Sequence, residues 1–354
     1  MKVLVTGGAG FIGSHVVDQL LCRGDEVRVI DRIDPTIHPL GAQYLDPRAE
    51  FVAGDLRDVA LVGRAVKGID AVCHQAAKVG LGVDFGDIHD YVAHNDAATA
   101  VLLAALWRRS FGGRFVLASS MVVYGEGRSR CGQHGIVSPA PRRAEDLAAG
   151  IFEPACPLSG CGGPVTWDPV DEEAAPDPRN IYAATKLHQE HLAAVWGRET
   201  GASVIALRYH NVYGPRMPRN TPYAGVASIF RSSLGAGRPA QVFEDGRQCR
   251  DFVHVRDVAD ANVIALTCDT AESGAYNVAS GTPHTIGDMA EALTDAFGPA
   301  APRPQYTGQW RAGDVRHIVA SAAKAADRLG FVAKVGFDEG MAELAGAPQR
   351  APRS

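Results

Sequence analysis

Tyr182 and Lys186 stand four residues apart in Ile181-Tyr-Ala-Ala-Thr-Lys-Leu187. On a helix that spacing puts both side chains on one face, a single turn apart. An ammonium so close favours the tyrosinate and draws a hydroxyl that ordinarily titrates at about 10 toward neutrality. A tyrosine so tuned can exchange a proton with a sugar hydroxyl while hydride passes to or from a nicotinamide, and Ser120 would hydrogen-bond the same oxygen. Tyr-x-x-x-Lys alone is common and more often marks a surface pair. Its weight depends on the elements that carry it.

The chain opens with a β-branched run, Met1-Lys-Val-Leu-Val5, that ends in Thr6-Gly-Gly-Ala-Gly-Phe-Ile-Gly13 and leads into an apolar helix to Leu21. Gly8, Gly10 and Gly13 fit G-x-G-x-x-G, and a second run, Asp25 to Ile30, ends at Asp31, 18 residues beyond Gly13. Glycines permit the tight turn and the close approach of backbone N–H groups to a pyrophosphate, and the helix N-terminus adds positive dipole. Gly7, Gly10, Phe11, Ile12 and Gly13 are therefore expected at a dinucleotide. Asp31 would accept the ribose hydroxyls and favours NAD over NADP, while the neighbouring Arg32 pulls the other way.

Further short strands end at Ala53, His74 and Ala118. They place Asp55 and Leu56, then Ala76, Ala77 and Lys78, then Ser119-Ser-Met-Val-Val-Tyr-Gly125 at strand carboxyl ends, where doubly wound sheets bind ligands. Asn95 to Arg108 has apolar residues at helical spacing and reads as a crossover helix. The pattern predicts a doubly wound α/β Rossmann sheet.

Composition narrows the partners. With 35 basic and 40 acidic residues the net charge is −5, so no global field draws the chain to nucleic acid or to an anionic membrane. No apolar stretch approaches the length of a transmembrane helix, and seven cysteines in 354 residues do not suggest a secreted disulfide framework. A soluble, cytoplasmic protein with a small-molecule substrate is expected.

Taken together, the glycine loop, Gly54-Asp-Leu56, Ala76-Ala77, Ser119 to Gly125, Tyr182-x-x-x-Lys186, Arg208 to Arg216 and Arg250-Asp-Phe-Val-His-Val255 resemble the extended short-chain dehydrogenase/reductases, specifically the nucleotide-sugar epimerase and dehydratase family. The resemblance implies a catalytic trio of Ser120, Tyr182 and Lys186, with Lys186 also on the nicotinamide ribose, and adds Asn95 to the cofactor contacts. It implies a diphosphate clamp of Asn211 and Arg250 and late nucleotide contacts from Arg311 and Asp314. It divides the chain into a NAD-binding domain (1–126 and 177–210, with parts of 241–280), a nucleotide-sugar lobe (211–240 and 281–335) and a frayed tail (347–354). It also suggests a homodimer built on the helices near Asn95 to Arg108 and Tyr182 to Trp196.

Family dehydratases carry Asp and Glu after the catalytic Ser or Thr; here Met121 and Val122 cannot carry a proton, which disfavours 4,6-dehydration. A 4-epimerase with tightly held NAD, working through a transient 4-keto sugar and hydride return to the opposite face, is preferred over an NAD(P)H-dependent 4-ketoreductase. For 3- or 5-epimerisation no second acid/base stands out, with Cys249 and His210 left open. A non-catalytic dinucleotide sensor is the third alternative, opposed by the intact Tyr182 and Lys186.

Ser120 and Tyr182 lie 62 residues apart, far more than the family pattern needs, so 127–176 is an insert. It holds Cys131-Gly-Gln-His134 and Cys156-Pro-Leu-Ser-Gly-Cys161, two ligand pairs separated by 21 residues. They suggest the two knuckles of a Cys₃His zinc ribbon, closed and structural; the alternative is a loop with unpaired thiols. The insert's place resembles that in deoxysugar epimerases of the family that act on dTDP-L-rhamnose. That implies a dTDP-6-deoxyhexose substrate, with a UDP-hexose as the alternative.

Overall fold

Val3, Leu4 and Val5 are completely buried because the strand they form, β1 (Lys2–Thr6), has parallel neighbours on both sides and helices on both faces. The computed structural model describes residues 1–35, 37–38, 41–80, 85–218, 225–311 and 313–348. With β2 (Glu26–Asp31), β3 (Glu50–Ala53), β4 (Ala71–His74), β5 (Arg114–Ser120), β6 (Ser203–Tyr209) and β7 (Gly274–Val278), β1 makes a seven-stranded parallel sheet in the order β7-β6-β5-β4-β1-β2-β3. The order reverses between β1 and β4, which opens a crevice at their carboxyl ends.

One face is covered by the helices Phe11–Cys22 and Val255–Thr267, which bury Val16, Val17, Leu20, Val258 and Val263. The other is covered by Val59–Ala65, Ala98–Trp107 and Ile181–Thr200 through Val62, Leu102, Leu106, Ala193 and Trp196. Asp58 caps the first of these by accepting the N–H groups of Ala60 and Leu61. The expected crossover helix starts earlier than its periodicity suggests, at Ile88, and contains a π-helical stretch, Val92–Ala97. A wide turn of that kind breaks the 3.6-residue pattern, so spacing cannot reveal it.

A smaller lobe is built on Asn211–Tyr213, Cys249–His254 and Pro283–Thr285, with the helices Val226–Gly235, Ile286–Phe297 and Phe337–Gly346 around Phe230, Phe252, Met289, Leu293 and Met341. The expected tail lies outside the described residues from 349 onward. Sequence periodicity leaves Ala323–Leu329 and Phe337–Gly346 unassigned.

The insert is a three-stranded antiparallel sheet of Gly135–Val137, Arg128–Cys131 and Val165–Asp168, with the short helix Ala144–Ala148 in the connection between the strands Gly135–Val137 and Val165–Asp168. Its buried apolar cluster is only Cys131, Val137, Cys156 and Val165, with Cys161 against it. So small a core cannot hold a fold by burial alone.

Candidate active site

The glycine loop leaves no room for side chains. A Cβ at Gly13 would lie 2.3 Å from the Gly7 carbonyl oxygen, and one at Gly7, whose φ is +66°, would lie 2.7 Å from the backbone of Ala76. The loop is thereby pressed against the end of β4, and Gly7, Gly10, Phe11, Ile12 and Gly13 line the crevice. Asp31 closes the far side by accepting the N–H groups of Ala9 and Ile33, each at 3.0 Å. The cavity they border measures about 600 Å³ and runs past Asp55, Leu56, Ala76, Ala77 and Lys78 to Tyr182 and Lys186. A cradle that a single Cβ would fill, leading from an acidic ribose site to the Tyr-Lys pair, fits a dinucleotide.

Not every expected contact faces it. Asn95 is fully buried and outside the cavity lining: its amide pairs with both the N–H and the carbonyl of Lys78 and donates to Thr185 Oγ1. Asn95 thus ties the Ala77-Lys78 loop to the catalytic helix from within the π-helical stretch. Arg32 lines the cavity but is paired with Asp34 and His94. The Asp55 carboxylate is gripped by Arg57, which holds it down to about 2. Lys78 pairs with Asp90 at 2.8 Å.

Tyr182 and Lys186 sit on Ile181–Thr200, capped by Asn180 through the Ala183 N–H. The Lys186 Nζ lies 6.0 Å from the Tyr182 ring centroid and donates to the Ala118 carbonyl at 2.8 Å. The expected drop in the tyrosine's pKa does not occur in the protein by itself. Burial pushes Tyr182 up to about 12 and the hydrogen bond with Ser120 offsets only part of it; burial also pulls Lys186 down to about 8 against the pull of Glu190 and Asp96.

One turn beyond Lys186, Glu190 receives two hydrogen bonds from Arg208, at 2.8 and 3.0 Å, and another from Ser119, beside Ser120. Arg208 also donates to Tyr124. This buried network fixes the end of β5 against the catalytic helix. Its sequence signal is the Tyr182, Lys186, Glu190 repeat at intervals of four.

On the substrate side the expected residues converge without forming an open clamp. The Arg250 guanidinium is buried and spends its donors on the carbonyls of Cys249, Val315 and Arg316, with Asp314 at 3.8 Å. Asn211 keeps a buried Oδ1 with no protein partner, and Arg311 is exposed, 5.1 Å above the Phe243 ring. Sequence reasoning missed Glu126, which burial pushes up to about 7 amid Arg142, Arg179 and Arg250.

In the insert the Cys131, His134, Cys156 and Cys161 ligand atoms all lie within 4.8 Å of one another. Both Cys131 Sγ and Cys156 Sγ are 3.6 Å from His134 Nδ1, Cys131 Sγ is 3.8 Å from Cys161 Sγ, and all three cysteines are free of disulfides. The N–H groups of Gln133 and His134 hold the Cys131 thiol down to about 6.

The model of the NAD dependent epimerase/dehydratase family matches residues 3–144 and 159–279. The chain belongs to that family. A dTDP-L-rhamnose 4-epimerase of Burkholderia thailandensis is 31% identical over 97% of this chain and 93% of its own. A dTDP-glucose 4,6-dehydratase of an Actinoplanes species is 31% identical over 100% of this chain and 99% of its own. The structure of a Thermus thermophilus UDP-glucose 4-epimerase complexed with NAD superposes with a TM-score of 0.75 at 32% identity, covering 98% of both chains. The break in the family match, 145–158, lies within the insert and takes in Cys156 of the Cys/His cluster.

Proposed function

We propose that this isomerase is a nucleotide-sugar 4-epimerase that acts on a dTDP-6-deoxyhexose such as dTDP-L-rhamnose. The observation that carries the reading is the Tyr182-Lys186 pair lining the dinucleotide crevice, with Ser120 hydrogen-bonded to Tyr182 and followed by Met121 and Val122, neither of which can move a proton. The similarity to a dTDP-L-rhamnose 4-epimerase supports the substrate class. Met121 and Val122 separate the chain's chemistry from that of the similar dehydratase.

NAD, held by Gly7, Gly10, Phe11, Ile12, Gly13, Asp31 and Ala76, would supply a reversible hydride acceptor. Tyr182 takes the proton of the C4 hydroxyl and gives it back after the ring has turned. Ser120 orients that oxygen. Lys186, held by the Ala118 carbonyl, supplies the positive charge that offsets burial of the tyrosinate. A cationic cofactor beside Tyr182 acts in the same direction.

The cluster in the insert accords with a zinc ion. Four-coordinate zinc, with bonds of about 2.3 Å to sulfur and about 2.0 Å to nitrogen, sets S···S at about 3.8 Å and S···N at about 3.5 Å, against 3.8 and 3.6 Å here. All four positions are filled by protein, so the ion would be structural. Free cysteines accord with a reducing, cytoplasmic setting.

The test is incubation of the purified protein with dTDP-L-rhamnose without added NAD(P)H, followed by NMR of the sugar and extraction of bound cofactor. Retained NAD and the C4 epimer support the reading. Arg32 at the adenosine end favours one rival, a 4-ketoreductase using a phosphorylated cofactor; NADPH consumption confined to a 4-keto sugar, without epimerisation, would establish that instead.

A further inference from the structure

The insert reaches well beyond its own cluster. Between its two ligand pairs lie Arg142, Phe152 and Glu153, and each docks on the smaller lobe. Arg142, 4% exposed, makes two bonds of 2.9 Å to the Glu244 carboxylate, itself 2% exposed, and donates to the Asp314 carbonyl at 2.7 Å. Glu153 accepts from Arg316 and from His317 Nε2 at 2.8 Å. Arg316, 1% exposed, also binds Glu244 and Asp245 and lies over the Phe152 ring. His317 Nδ1 in turn accepts the Cys249 N–H at 3.1 Å. The stretch 314–317 is thus gripped by the insert on one side. On the other, its carbonyls hold Arg250 in place, Val315 at 2.5 Å and Arg316 at 2.9 Å.

We infer that the Cys/His insert is the positioning element of the nucleotide subsite: Arg142 and Glu153, fixed by the metal cluster on either side of them, hold the 314–317 stretch and through it Arg250. The inference rests on the metal reading above and on the diphosphate contact that the resemblance assigns to Arg250. Arg142 and Glu153 touch neither the dinucleotide crevice nor the Tyr-Lys pair, so the coupling is to nucleotide-sugar affinity and not to the cofactor. Buried ion pairs contribute little net stability but fix one arrangement strongly, because breaking one leaves its partner charged and buried. Without the metal the tether between Arg142 and Glu153 loses its anchor, since the insert's apolar core is too small to replace it.

The experiment measures metal content, retained NAD and the Kd for dTDP by calorimetry in the full chain, Cys161→Ser, Arg142→Met and Arg142→Lys, with kcat and KM for dTDP-L-rhamnose. The full chain is expected to carry one zinc ion. Cys161→Ser should lose it, and Arg142→Met should keep it. Both should bind dTDP about 5- to 100-fold more weakly, with KM raised more than kcat is lowered and NAD retained; Arg142→Lys should recover part of the affinity. Chelation of the folded full chain repeats the metal arm if Cys161→Ser does not fold. Unchanged dTDP affinity after metal loss, or in Arg142→Met, overturns the coupling while leaving the metal site standing. A full chain purified without metal overturns both. Absence of epimerisation with dTDP binding still metal-dependent would overturn the proposed activity alone.

Discussion

Burial works against both members of the pair, raising the tyrosine to about 12 and lowering the lysine to about 8, so that near neutrality Tyr182 holds its proton while Lys186 keeps its ammonium. A hydroxyl so far up gives its proton only when positive charge is near, so turnover requires the ammonium and the cofactor together. Tyr182→Phe is expected to cut turnover about 100- to 10,000-fold while leaving the NAD content of the purified protein unchanged; undiminished turnover would remove Tyr182 from the mechanism. Lys186 carries a cost in stability. Its folded pKa lies below its unfolded value, so the folded state releases a proton between pH 10.5 and about 8, and below that window the charged lysine burdens the fold. Lys186→Met should therefore be inactive yet more stable at pH 7 by about 1–3 kcal/mol, with the gain shrinking toward pH 10.5 in urea melts. A loss of stability at pH 7 would show that the bond to Ala118 outweighs burial. The side-by-side placing of Tyr182 and Lys186 was legible in the sequence because a spacing of four on a helix dictates it, whereas Ser120 came with the resemblance. The direction of the tyrosine's shift was not legible, because it depends on how much protein covers the ring.

Elements were legible where one period governs them. The β1 run, the glycine loop and the helix after it follow from apolar pattern and glycine spacing, and the contact distances give that spacing its reason: a Cβ at Gly13 meets the Gly7 carbonyl oxygen at 2.3 Å. Gly13→Ala must push the loop off β4, and is expected to cost about 1–3 kcal/mol and to empty the protein of NAD. Full NAD retention with unchanged melting would refute the cradle. Where two periods meet, the pattern fails. Asn95 comes to the cofactor contacts through the resemblance alone, and within the π-helical stretch Val92–Ala97 its amide is bonded to Lys78 and Thr185. The insert strands are illegible for another reason: at three or four residues each they are too short to display alternation, and ligand spacing, not hydrophobic pattern, announces the unit.

At the scale of the whole molecule, the crevice lies between a sheet whose order could be anticipated and a lobe whose grip could not. Arg142, Glu153 and Arg316 are scattered over 175 residues of sequence, and no local pattern links them. The same scale raises the question of what covers the outer face of the catalytic helix. Val92, Trp107 and Val195, on the two packed helices behind the sheet, are 43%, 63% and 50% exposed. Exposed apolar side chains scattered singly are ordinary, but these three lie on the helices to which the resemblance assigns a two-fold interface. Such a homodimer would set Ile181–Thr200 against its symmetry mate, and the face opposite Tyr182 and Lys186 would be braced by the partner. Light scattering should then give twice 37.4 kDa. Val195→Arg puts like charges across the axis and should release the monomer at micromolar concentration, with NAD retained because the crevice is formed within one chain. A wild-type mass of one chain, or a Val195→Arg protein that stays dimeric, would move the interface elsewhere or remove it.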